Sequence, residues 1–138
     1  MVRRLLSVVV ACALSGMATE AHHSIFAVYD PEQRTTIEGV LAEFHFVNPH
    51  PLILIDVKDG DGNVERWRLE MDNLRELVQA GFSRETLKPG DRVVVAGSAA
   101  RTQARSLYIR RLDRPSDGFW YEQVGSSPRI GSARADPQ

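Results

Sequence analysis

Cysteine occurs once in this chain of 138 residues, as Cys12 near its start. A single thiol forms no intramolecular disulfide, and removal of the first residues on export leaves no thiolate for nucleophilic catalysis. No apolar stretch approaches the roughly 20 residues that a membrane-spanning helix needs. An excess of either charge is also missing. The 17 basic and 18 acidic residues give a formal net charge of −1, which lacks the electrostatic footprint of nucleic-acid binding. The length holds one domain of ordinary composition, 43% hydrophobic and 25% charged, and excludes a multidomain enzyme. Neither a Gly-rich phosphate loop between strand and helix nor an internal repeat is present.

What is there begins with an address. Arg3 and Arg4 precede an apolar run from Leu5 to Leu14, and small residues follow at Gly16, Ala18 and Ala21, which is the layout of a secretory signal peptide. Cleavage is expected after Ala21, giving a periplasmic chain that starts at His22 and has no stable membrane insertion. The alternative takes Val9, Val10, Ala11 and Cys12 as a lipoprotein box. It leaves a leader shorter than the usual 15 to 30 residues or so. The expected organisation is a signal peptide over 1–21, a β domain over 22–113 and an extended, largely disordered tail over 114–138.

Within the β domain, residues 34–47 are rich in β-branched and aromatic side chains and read as one long strand, with Gly39 marking a bend. Asn48-Pro49-His50-Pro51 interrupts it, because proline lacks a donor and restricts the preceding residue. A second strand follows over 52–57. The loop Asp59-Gly60-Asp61-Gly62-Asn63 lacks the spacing and terminal Glu of a calcium loop and reads as a hairpin turn. The third strand, over 64–71, places Glu65, Trp67, Leu69 and Met71 on one face and Arg66, Arg68 and Glu70 on the other. Asp72 is expected to cap a short helix carrying Leu74, Leu77 and Val78. Pro89 and Gly90 suit the centre of a type II turn, and strands follow over 92–97 and 106–112. Three strands, a helix and two strands is the order of a five-stranded OB-like Greek-key barrel with its helix between strands 3 and 4. A small β-sandwich, the other architecture weighed, has no use for a helix there.

Four histidines carry what chemistry the sequence offers. After cleavage His22 presents an α-amine and an imidazole, a nitrogen pair that chelates Cu²⁺ together with a further imidazole from His23, His45 or His50. Such binding weakens as pH falls, because nitrogens coordinate only when unprotonated. The contrary reading makes His22 and His23 solvated terminal residues, His45 a surface strand residue and His50 a turn residue. Catalysis has less support. Ser24 beside His23 has no oriented third partner, and the acid pairs Glu38/Glu43 and Asp59/Asp61 fall where solvated side chains belong. Arg101, Arg105, Arg110 and Arg111 make a locally basic stretch that acids balance elsewhere, in keeping with a solvated face.

His22-His23-Ser24, Glu38-Gly39-Val40, Asn48-Pro49-His50, Trp67 with Glu70, and Leu87-Lys88-Pro89-Gly90-Asp91 occur in that order. In these pieces the chain resembles a family of small exported bacterial proteins, domain of unknown function 6152, over about residues 22–112. That resemblance implies an exported OB-like β domain and brings no activity with it. The function expected is non-enzymatic: a periplasmic domain binding a small partner, in its sharpest form copper. The competing expectation is a module that docks on another envelope protein through Phe119, Trp120 and Tyr121.

Overall fold

The structure is a computed structural model and describes residues 23–133. Its elements run α1 (His23–Val28), β1 (Tyr29–His45), β2 (Leu52–Lys58), β3 (Val64–Glu70), α2 (Leu74–Gln79), β4 (Arg92–Ala100), β5 (Ser106–Arg114), β6 (Phe119–Val124) and β7 (Ser127–Ser132). The fold is mainly β, with seven strands and short helices, and α2 lies between β3 and β4 as the sequence predicts.

The length of β1 follows from its having two partners. Arg34 to Val40 pair with Ser98 to Arg92 of β4, and Val40 to His45 pair with Asp56 to Leu52 of β2. Gly39 sits at the changeover. A Cβ there would lie 2.6 Å from the Asp56 carbonyl oxygen, so the close approach of β2 requires glycine. Just beyond, the register shifts between Leu41 and Glu43, which bends the strand.

Strand order is β3-β2-β1-β4-β5-β6-β7, antiparallel throughout, except that β3 also pairs parallel with β5 through Arg68↔Ser106, Leu69↔Leu107 and Glu70↔Tyr108. Each of β1 to β5 therefore has neighbours on both sides. Their inward residues make the core: Leu41, Ile53, Ile55, Leu69, Val93, Val95, Ile109 and Leu112 are all 0–1% exposed. Phe82 and Leu87 close one end, also buried.

Two corrections to the sequence reading arise here. The strands number seven rather than five, and residues 119–132 form β6 and β7 where a largely disordered tail over 114–138 is expected. The physical reason is β5. Its first half pairs with β3, its second half runs past the end of β3, and β6 takes that edge through Arg111↔Glu122 to Arg114↔Phe119. Tyr121 then enters the core at 0% exposure, with Phe119 and Ile130 packed against it. Burying two aromatic side chains and one aliphatic one, wholly or in part, outweighs the Gly, Ser and Pro content that suggests disorder.

Loop chemistry explains the connections. Asp59 accepts from the backbone N–H of Asp61 at 2.9 Å and of Asn63 at 2.8 Å, so this loop is an Asx-type hairpin turn. In the Lys88 to Asp91 turn, Asp91 N–H donates to the Lys88 carbonyl at 3.0 Å, and Gly90 takes the positive φ of 96° that a type II turn demands. Helix α2 is capped by Asn73, whose side chain accepts from Arg75 N–H, in place of the expected Asp72. Among the described residues no helix is long and apolar enough to cross a membrane.

Candidate functional site

The register of the sheet places His45, Leu52, Glu70 and Tyr108 side by side on neighbouring strands. Alternation turns this row away from the core, since Ile53, Leu69, Leu107 and Ile109 point inward. Helix α1 lies across part of this outer face. Between α1, β5, α2 and the turn joining β6 to β7 is a cavity of about 330 Å³, lined by Ile25, Phe26, His50, Asp72, Tyr108 and Arg110 among others.

His50 arrives from the proline-bounded turn. That turn is fixed from behind, where the carbonyls of Pro51 and Pro49 accept from Met71 N–H at 2.9 Å and Leu74 N–H at 3.0 Å. His50 Nδ1 lies 2.7 Å from Glu70 Oε1, with side chains 22% and 17% exposed. A carboxylate only accepts, so Nδ1 carries the hydrogen and Nε2 of the neutral ring presents its lone pair. Glu70 is held in turn. Its Oε2 accepts from the Tyr29 hydroxyl at 2.8 Å, and Arg68 approaches Oε2 at 3.4 Å and the Tyr29 oxygen at 3.3 Å. Burial raises the Tyr29 phenol above its usual pKa, which keeps it a neutral donor to Glu70. The result is a histidine whose ring orientation is set by a braced carboxylate, the arrangement that fixes ligating imidazoles in metal sites.

A second polar cluster lies beside the first. Asp72 accepts from Gln123 Nε2 at 2.6 Å, and Gln123 Oε1 accepts from the Tyr121 hydroxyl at 2.7 Å. The Tyr108 phenol is pushed far up by burial and by Asp72. The Tyr29 and Tyr108 rings meet at 5.8 Å between centroids, joining the two clusters.

The four candidate histidines are thus distributed unequally. His50 lines the cavity. His45 instead points to solvent and bonds Glu43 at 2.8 Å, both about half exposed, and it does not line the cavity. His22 lies outside the described residues. The backbone of His23 opens α1, whose next turn supplies Ile25 and Phe26 to the same cavity as His50. Among the described residues no three His, Cys, Asp or Glu converge as a metal site. Of the aromatic triplet, Tyr121 is buried, while Phe119 packs on the core and Trp120 lies under Arg111 at 5.0 Å, both half-buried.

Tyr29, Asp72 and Arg110 are site residues that motif spacing does not single out, and Glu70 stands in the sequence pattern beside Trp67 without a role. The signal for Glu70 is the strand alternation of β3, which sets it opposite the core-facing Leu69. A larger, more open depression of about 510 Å³ lies over β1 and β2 around Glu38, Gly39, Asp56 and Arg92. Most of its charges are already matched, Arg92 with Glu38 and Asp56 with Arg66, while Lys58 at its edge has no carboxylate partner among the described residues.

Comparison with known proteins adds three findings. Among solved structures, a mitochondrial single-stranded DNA binding protein from S. cerevisiae is similar at 18% identity and a TM-score of 0.43, over 59% of this chain and 93% of that one. No curated protein matches. A family model covers residues 9–107, and on that match the chain belongs to the family of unknown function DUF6152.

Proposed function

We propose that this protein is an exported, periplasmic, non-enzymatic binding domain that holds Cu²⁺ at the cavity beside His50, with the α-amine and imidazole of a cleaved N-terminus at His22 as the other donors. The observation that carries this reading is the His50–Glu70–Tyr29 brace, which leaves His50 Nε2 available in the cavity that the N-terminal helix also lines. Export is supported by the Arg3-Arg4 start, the apolar run and Ala21. The pairing of β1 to β5 around a common core, with α2 between β3 and β4, supports a five-stranded OB-like barrel to which β6 and β7 are added. Balanced charge supports a small ligand over a nucleic acid.

Titration calorimetry with Cu²⁺ on the chain recovered after export tests this. Saturable binding is expected, weaker at lower pH. His50→Ala should abolish the tight component, and Glu70→Gln should weaken it by roughly ten- to a hundredfold. One residue added before His22 should weaken binding more than His23→Ala, because it removes the amine from the chelate. No binding, or equal binding by the extended and unmodified chains, would overturn the reading. Intact mass of the exported form should show His22 as its first residue; a lipid on Cys12 would contradict that address.

A further inference from the structure

Arg110 stands in the cavity without a carboxylate at ion-pair distance among the described residues, although Asp72 and Glu76 line the same cavity. Seven other arginines, Arg66, Arg68, Arg92, Arg101, Arg105, Arg111 and Arg114, have carboxylate partners within ion-pair distance, and Arg34, Arg75, Arg84 and Arg129, which do not, are exposed where Arg110 is half-buried. Arg110 has none among the described residues, and its buried Nε–H has no acceptor there. Its position is nevertheless well defined. The guanidinium carbon lies 4.9 Å from the Tyr108 ring centroid and 5.9 Å from that of Phe26, so aromatic faces hold the planar fork while its N–H edges stay unused. A fork held in this way matches a carboxylate in two parallel hydrogen bonds.

We infer that the cavity takes a small organic monocarboxylate, its carboxylate on Arg110 and its apolar body against Ile25 and Phe26. Phe26 is 53% exposed, and such a ligand covers it. The volume of about 330 Å³ lies at the small end of ligand cavities. Asp72 and Glu76 line the same cavity, so a carboxylate is held only where it bonds Arg110 directly, and a second one, with no further cation in the lining to meet it, is disfavoured. This site does not depend on copper, for Arg110 is not among the proposed metal ligands.

The test is a ¹⁵N NMR titration of the chain as recovered from cells and stripped of metal with EDTA, with 3-phenylpropanoate as the probe. Saturable shifts are expected at the amides of Phe26, Tyr108 and Arg110. Phenylsuccinate, with its second carboxylate, and 3-phenylpropan-1-ol, with none, should each bind at least tenfold more weakly. Arg110→Met, which keeps a long apolar stem beside Tyr108, should lose at least tenfold, and Arg110→Lys should recover part of that loss. The inference fails if 3-phenylpropanoate gives no saturable shift, if the alcohol binds as tightly, or if Arg110→Met binds like the parent. Should the Met variant not fold, the three ligands on the unmodified chain decide the matter.

Discussion

At the scale of single residues, two positions lend themselves to measurement. Gly39 is held by distance: its missing Cβ would meet the Asp56 carbonyl oxygen, which belongs to backbone and cannot step aside. Gly39→Val is therefore expected to cost roughly 1–3 kcal/mol by forcing β1 and β2 apart, read as a lower melting temperature; an unchanged one would contradict the close approach. The tyrosines give a pH test. Tyr29, Tyr108 and Tyr121 are the only tyrosines, all at most 2% exposed, and burial raises each phenol above its usual pKa. A raised folded pKa means the unfolded chain ionises first. The stabilisation is thus complete below about pH 10 and is lost above it, by up to about 1.4 kcal/mol per pH unit for each tyrosine. Absorbance at 295 nm should stay flat through pH 10 and rise together with unfolding. A phenolate titrating near pH 10 in the folded protein would show that one ring is not enclosed.

At the scale of elements, β6 and β7 bear on stability. Tyr121→Ala removes a fully buried ring from the core and should cost about 3–5 kcal/mol. Tyr121→Phe removes only the hydroxyl that donates to Gln123, at about 1 kcal/mol. Chemical denaturation of the two variants separates a structural strand from a loose tail, for which neither substitution would matter. The first five strands and α2 were legible in the chain because each has a local signal: alternation in β3, the Pro-Gly turn before β4, and turn residues between β2 and β3. The residues of β6 carry a signal too, three consecutive aromatics. What they lack is any local indication that β5 runs beyond β3 and leaves an edge to be paired.

At the scale of the whole molecule, pairing of β3 with β5 gives each of β1 to β5 a neighbour on both sides, which shields the central backbone. Amides of Val93, Val95 and Ile109, buried in strands paired on both sides, should exchange with solvent only by global opening. Those of β7, which pairs only with β6, should exchange orders of magnitude faster. Uniform rates across β4 and β7 would contradict this layering. Denaturant dependence of exchange at Val95 should then equal that of equilibrium unfolding.

The chain by itself determined the periods of its first five strands, its turns and the short helix between β3 and β4, and it offered the histidines as candidate ligands, because each of these depends on neighbours within a few positions. Only the tertiary structure decided which histidine matters to a site. His45 and His50 are five residues apart, yet one faces solvent beside Glu43 and the other is held by Glu70 at the cavity wall. That division depends on strand register and on the docking of the 48–51 turn against residues 71 and 74, and pairings across such distances leave no mark in local sequence. Arg110 shows the same limit: that it is unpaired and yet half-buried against two aromatic rings is a property of what surrounds it in space.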